Sequence, residues 1–373
     1  MIALIHAYSR RNAGDGLLVD LSLERLERAG VPKESCEVFA LDASSFSDLP
    51  HVHQVGMPGR RPSPAMVPAG LQLGATVLGG ATGGRVRVGQ LQDVLARADA
   101  VAAVGGGYLR SGTAVSSFGT LLNHVPQLAT AARSKATTLY LPQSIGPLRG
   151  PVGRLVRRLL GGIDVVCVRD DRSLEELGPG VSPIRFPDLA LLQLAERFEG
   201  VQPAARNGGP VVLVGRELTD GGAYEQRVVD LARRLGDVVW AAQAEGVGSK
   251  SDHSFYERLG VRADGRLLDV LKSSSPAAVV STRLHGAIQA LLAGVPAVHL
   301  GYERKSRSAY GDLGLADFVH DARAFDPETV AAQTKALAAD PSPFWKRIEQ
   351  QRPGLLDASE RLTALVRERL GLG

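Results

Sequence analysis

Residues 276–305 read PAAVVSTRLHGAIQALLAGVPAVHLGYERK. The run Ala277–Val280 has strand character. A polar turn, Ser281-Thr282-Arg283, follows it. Leu284-His285-Gly286 opens a helix whose apolar residues Ile288, Leu291 and Leu292 recur at helical spacing. Gly294 ends that helix, Pro296 cannot continue it, and Ala297–Leu300 reads as the next strand. Strand, helix and strand in close succession predict a parallel α/β unit. Arg283 and His285 fall where the strand meets the helix N-terminus, where free N–H groups and the helix dipole favour an anion. Arginine adds a permanent charge in a planar fork, and histidine adds a proton mobile near neutral pH. The plainer alternative pairs Arg283 with an acidic side chain and buries His285 in the core.

The same alternation runs twice along the 373 residues, a length sufficient for two cores. In the first half, strands are expected at 1–7, 37–41, 100–104, 137–141 and 163–168. Helices are expected after the first strand and at 89–97, 117–133, 151–160 and 173–177. Residues 44–84 are rich in Pro and Gly and predict a long irregular loop, with one short helix near Val67–Val77. A polar interval at 200–210 reads as a linker. Beyond it come strands at 211–214 and 237–242, helices at 223–235, 251–259, 266–272 and 326–339, and a last helical region, 344–370, broken near Pro353. These readings give an N-terminal α/β domain at 1–200, a C-terminal α/β domain at 210–342, and a terminal helix at 343–373 packing back toward the first. Two such domains would face each other across a cleft at the C-terminal ends of their strands.

The formal charge of +4 is spread through the chain, without a basic run dense enough to argue for nucleic acid. A weak attraction to an anionic membrane surface is compatible with it. No apolar run approaches the length of a membrane span, and MIALIHAY enters a strand directly, so a cytosolic protein is expected. Cys36 and Cys167 sit in apolar segments and read as small hydrophobes. No Cys/His or Asp/His spacing reads as a metal site, so neither metal nor cofactor is expected.

Several short motifs follow strands and would line one sheet edge. Asn12-Ala13-Gly14-Asp15 opens the first helix, with Asp15 either a helix cap or a carboxylate able to take a proton from a sugar hydroxyl. Gly105-Gly106-Gly107 allows close backbone approach or a sharp turn. Gln143 and Ser144 in PQSIGP can hydrogen-bond a polar substrate. Arg169 in CVRD is an anion ligand or one half of a salt bridge. Lys305 follows the strand after His285 and returns to the same edge, or is a surface lysine. Arg169, Arg283 and Lys305, with a helix N-terminus, would hold a small, highly charged anion.

The ordered set NAGD (12–15), GGG (105–107), PQSIGP (142–147), VRDDRS (168–173), PD (187–188) and TRLHG (282–286), ending in Lys305, resembles the polysaccharide pyruvyl transferase family over most of residues 1–315. The resemblance implies a fold similar to the B-type glycosyltransferases. It also implies phosphoenolpyruvate as co-substrate, a sugar of a cell-surface glycan or its lipid-linked precursor as acceptor, and a pyruvate ketal as product. Arg283, Lys305 and Arg169 would bind the donor, His285 would move the protons, and Asp15 would activate the acceptor hydroxyl. Two rival classes are a nucleotide-sugar glycosyltransferase, with Glu303 as the nearest base- or ribose-binding carboxylate, and a non-catalytic glycan-binding homologue.

Overall fold

The structure, a computed structural model, describes residues 1–55, 90–199, 208–218, 222–245, 251–302 and 305–372. The helix expected near Val67–Val77, Glu303, and most of the 44–84 and 200–210 segments lie outside the described residues.

The chain forms two compact units. One comprises Met1–Arg10, Asp15–Leu189 and Ala358–Gly373; the other comprises Arg11–Gly14 and Ala190–Asp357. In the first, seven strands form one sheet: β1 (Ile2–Ala7), β2 (Cys36–Ala40), β3 (Val52–Gln54), β4 (Ala100–Ala103), β5 (Thr137–Gln143), β6 (Val165–Val168) and β7 (Ile184–Arg185). Their order is β3-β2-β1-β4-β5-β6-β7 and their pairings are parallel. The second unit carries β8 (Val211–Val214), β9 (Val238–Ala242), β10 (Gly265–Arg266), β11 (Ala278–Ser281), β12 (Ala297–Gly301) and β13 (Val319–Asp321). These pair in parallel in the order β10-β9-β8-β11-β12-β13.

Helices cover both faces of a parallel sheet, so its strands need apolar residues on both sides. That is why β4, β6 and β11 read as continuous small-apolar runs and are buried at every position. In each sheet the strand order reverses once, between β1 and β4 and between β8 and β11. Loops that leave the C-terminal ends of two such strands diverge and leave a crevice, the usual ligand position in open α/β sheets.

Some expectations required correction. The helix expected over 117–133 is two helices, Ala114–Asn123 and Val125–Ala131, because Pro126 lacks the N–H that would continue the ladder. The final helix is not broken at Pro353 but runs unbroken from Ser342 to Arg369. Pro353 lies on its exposed side, where water can replace the lost hydrogen bond. Part of the 44–84 segment is ordered: Ala43–Phe46 forms a 3₁₀ turn and β3 extends the sheet. Short elements at Leu189–Arg197, Lys305–Asp312 and Val319–Asp321 were not anticipated. Gly294 does end its helix, with φ 75°.

The terminal segment is fastened to the first unit through Arg25. This buried guanidinium donates through Nη1 to Ser359 O (3.2 Å), Ser359 Oγ (2.8 Å) and Thr363 Oγ1 (2.6 Å). Hydrogen bonds to a charged group are worth about 1.5–3 kcal/mol. Arg25→Ala is therefore expected to cost roughly that much stability, seen as a lower urea midpoint at an unchanged slope.

Candidate active site

The sequence-derived candidates fall into two groups, one in each unit. In the second unit, β11 delivers Ser281, Thr282 and Arg283 to the start of the helix Leu284–Leu292. Arg283 occupies the N-cap position in an extended conformation and is 9% exposed. Its Nε donates to both oxygens of Asp252, at 2.9 and 3.0 Å, and its Nη2 donates to Oδ1. Asp252 is fully buried and also accepts from the backbone N–H groups of Gln243 (2.8 Å) and Ala244 (2.9 Å). Both readings of Arg283 thus meet in one side chain: it is paired with an acid, and Nη1 makes no hydrogen bond among the described residues yet is not sealed from solvent. Burial alone would lower the Arg283 pKa. The Asp252 carboxylate more than offsets this, with Tyr302 and Tyr256 adding to it, so the group lies above the ordinary arginine value.

The Asn12–Gly14 segment joins this group. Asn12 bridges to Ala244, Ala13 N–H donates to Gln243 O (3.1 Å), and Glu245 N–H donates to Arg11 O (2.8 Å). Gln289, from the Arg283 helix, donates to Ala13 O at 3.4 Å and accepts from Gln243 Nε2 at 3.1 Å. Gly14 thereby comes to lie against His285, the second residue of that helix. A Cβ at Gly14 would fall 2.8 Å from His285 Cβ and 3.1 Å from Nδ1. His285 is half-buried. The Asn12 side chain accepts from Gly14 N–H at 3.2 Å, so the capping role weighed for Asp15 belongs to Asn12. Asp15 is the third residue of its helix, Ala13–Arg28, and belongs to the first unit. Lys305 opens the helix Lys305–Asp312, and its side chain lies outside what the structure describes.

In the first unit, Gly105-Gly106-Gly107, Ser144 and Arg169 follow neighbouring strands β4, β5 and β6, and Gln143 is the last residue of β5. Ser144 N–H donates to Gly106 O (2.7 Å) and Arg169 N–H to Gln143 O (3.0 Å), which ties the three loops together. Gly105 leaves no room for a side chain, since a Cβ would meet Pro142 O at 2.7 Å. Arg169 is buried against Asp188 in a close ion pair, and its Nε donates to Ser144 Oγ (2.9 Å). Ser144 Oγ donates in turn to Asp170 Oδ2 (2.6 Å), and Asp170 caps the helix Asp171–Leu177. Gln143 is completely buried, yet neither atom of its amide has a hydrogen-bond partner among the described residues.

Sequence reading missed a second polar cluster beside this edge. His6, near the end of β1, is buried at φ 67°. Its Nε2 lies 2.9 Å from Tyr140 OH and its Nδ1 lies 3.3 Å from Nδ1 of buried His124. Tyr108 stacks on His124, with centroids 4.8 Å apart, and its hydroxyl donates to Val104 O. Burial, and then the neighbouring His124, hold His6 well below the ordinary histidine value, and burial pushes both phenols up. A histidine inside the apolar strand IALIHA was the one available signal. The thiols play no comparable part: burial raises Cys36 to about 11 and Cys167 to about 12. Among the described residues no group of three or more His, Cys, Asp or Glu side chains is placed to hold a metal. No described helix is long and apolar enough to cross a membrane.

Two parallel-sheet domains with polar loops at their C-terminal edges define an α/β fold of the B-type glycosyltransferase kind. The chain is similar to a putative UDP-N-acetylglucosamine 2-epimerase from Listeria monocytogenes (11% identity, 100% of this chain and 96% of that one, TM-score 0.54). It is also similar to LpCGTa in complex with UDP (14% identity, 99% of each chain, TM-score 0.51). No curated protein matches the sequence. The family model for polysaccharide pyruvyl transferase matches residues 12–246, and the chain belongs to that family. The match includes the NAGD, GGG, PQSIGP and VRDDRS motifs and stops short of Arg283, His285 and Lys305.

Two outcomes test this arrangement. Gly14→Ala forces its Cβ onto the rigid base of the His285 side chain. It should cost about 1–3 kcal/mol by overpacking and displace the His285 imidazole resonances in an NMR spectrum. For His6, the unfolded chain takes up a proton near pH 6.5, whereas the folded one does so only at lower pH. Between those values the unfolded state binds more protons, so stability falls as pH drops below about 6.5, by at most about 1.4 kcal/mol per pH unit. His6→Asn tolerates the positive φ and removes the titrating group. Urea unfolding from pH 7.5 to 5 should then show a flatter profile than the wild type.

Proposed function

We propose that the protein transfers the pyruvyl group of phosphoenolpyruvate onto two hydroxyls of one sugar in a cell-surface glycan or its lipid-linked precursor. The observation that carries this reading is membership of the polysaccharide pyruvyl transferase family across residues 12–246. The chemistry of the two loop clusters supports it. Phosphoenolpyruvate carries a carboxylate and a phosphate on three carbons, and binding it calls for cations near a helix N-terminus. Arg283 meets that need with Nη1 and with its place at the N-cap, and Lys305 is the further donor ligand; Arg169, the third cation named from the sequence, is instead engaged by Asp188. On this reading the unmatched amide of Gln143, with Ser144, serves the sugar hydroxyls, since a buried polar group without a partner invites one.

His285 is assigned the proton movements. A proton reaches the methylene carbon and the first sugar hydroxyl attacks the adjacent carbon, losing its own proton. Phosphate then leaves with the electrons of the C–O bond, and the second hydroxyl closes the ketal. Of the two hydroxyl protons released, one replaces that given to the methylene carbon and the other leaves on phosphate. Asp15 is the candidate for activating the acceptor. No resident cofactor is required by this scheme. We place the reaction in the cytosol, with the acceptor reached at the inner face of the membrane where it is lipid-linked.

Incubation with phosphoenolpyruvate and candidate glycans should yield a product heavier by one pyruvate less one water, with equimolar phosphate release. His285→Gln should slow turnover by about 10²- to 10⁴-fold while leaving phosphoenolpyruvate affinity largely intact. Sugar transfer from a nucleotide sugar, with no pyruvylated product, would instead establish the glycosyltransferase alternative. Neither activity, with glycan binding retained, would identify a non-catalytic homologue.

A further inference from the structure

We propose that Arg216, the free Nη1 of Arg283 and the Tyr302 hydroxyl form a phosphate-binding site at the switch point of the second sheet. Arg216 stands two residues beyond β8 and Arg283 two residues beyond β11, the strands between which that sheet reverses its order. Val214 pairs with Ser281, and Thr282 N–H donates to Val214 O at 2.8 Å, so both loops leave the sheet at the same level. The Tyr224 hydroxyl joins them, lying 2.9 Å from Thr282 Oγ1 and accepting from Arg216 N–H at 3.5 Å.

Tyr302, just past β12, touches Arg216. The Arg216 guanidinium lies over its ring, 4.9 Å from the centroid, and Arg216 Nη1 donates to its hydroxyl oxygen. The same phenol acts on the charge of Arg283. Accepting from Arg216 leaves the Tyr302 O–H proton available to a ligand oxygen.

The charge inventory favours a dianion. Arg216 is half-buried and forms no ion pair among the described residues; adjacent Glu217 is engaged by Arg258 at 3.2 Å. The Arg216 Nε is held by Glu217 O at 3.2 Å, which leaves Nη2 without a hydrogen bond among the described residues. Arg283 is nine-tenths buried, with Asp252 on Nε and Nη2 and with Nη1 unmatched. Two guanidinium edges and a phenol O–H suit the oxygens of a phosphate monoester. This inference rests on the pyruvyl-donor reading only in naming the ligand, whose phosphate end the site would take.

The test is calorimetry on the full chain with inorganic phosphate, phosphoenolpyruvate, pyruvate and UDP, comparing wild type with Arg216→Ala, Arg216→Lys and Tyr302→Phe. Arg216→Ala should weaken phosphate and phosphoenolpyruvate by about ten- to a hundred-fold, with Arg216→Lys in between and pyruvate unchanged. Unchanged phosphate affinity in Arg216→Ala and Tyr302→Phe, each with wild-type circular dichroism, overturns the site, as does wild-type protein that binds no phosphate. Equal weakening of pyruvate moves Arg216 to the carboxylate and overturns the phosphate assignment. Arg216-dependent binding of UDP in preference to phosphoenolpyruvate supports the phosphate site while refuting the pyruvyl donor, so the two ideas fail separately.

Discussion

The ion pair between Arg283 and Asp252 is the contact on which the second unit's polar edge depends. An isolated charge at either position would be costly, because both side chains are withdrawn from water. Removing one partner of such a pair typically costs about 3–5 kcal/mol. Here the carboxylate is saturated by the guanidinium on one side and by the Gln243 and Ala244 N–H groups on the other. The pair therefore clamps the end of β9 to the start of the Leu284–Leu292 helix. The Asn12–Gly14 segment is laid along that same β9 end, and its glycine meets His285. One buried carboxylate thus fixes the direction of an arginine, the path of a distant chain segment and the surroundings of a histidine.

The first unit solves a similar problem with different parts. Arg169 is neutralised by Asp188 and linked through Ser144 to Asp170, the cap of the next helix. Four side chains from the ends of β5 and β6 and the segment after β7 form one hydrogen-bonded chain. Beside it, the His6–His124–Tyr140 group places titratable side chains in a dry setting, where only one of two facing ring nitrogens can carry the shared proton. Both units spend buried polar groups at the C-terminal ends of their strands.

Much of this was legible in the sequence. Small-apolar runs such as AVAA and AVVS announce strands buried on both faces, and the 3.6-residue spacing between them announces the covering helices. Glycine and proline mark most helix ends. The motifs recognised as candidates do lie after strands, because a parallel sheet sends every strand's C-terminal end to the same edge. The errors came where a local signal was outweighed. Pro353 is tolerated on a solvated helix face, while Pro126 divides a helix that periodicity alone would have continued. Of the two roles the sequence left open for Asp15, capping falls to Asn12, three positions earlier.

The sequence by itself determined the doubled α/β pattern and the residue types at the sheet edges. These follow from periodicity and local backbone chemistry, which act over a few residues. Tertiary structure alone decided which charges are spent and which are left over. Asp252 lies 31 positions from Arg283, Asp188 lies 19 from Arg169, and Tyr302 lies 86 from Arg216. Nothing local distinguishes these partners from the other acids and tyrosines in the chain. They are chosen by strand order and register, which bring the loops after β8, β11 and β12 side by side, and the Coulomb energy of a pair depends on that distance in space rather than on separation along the chain.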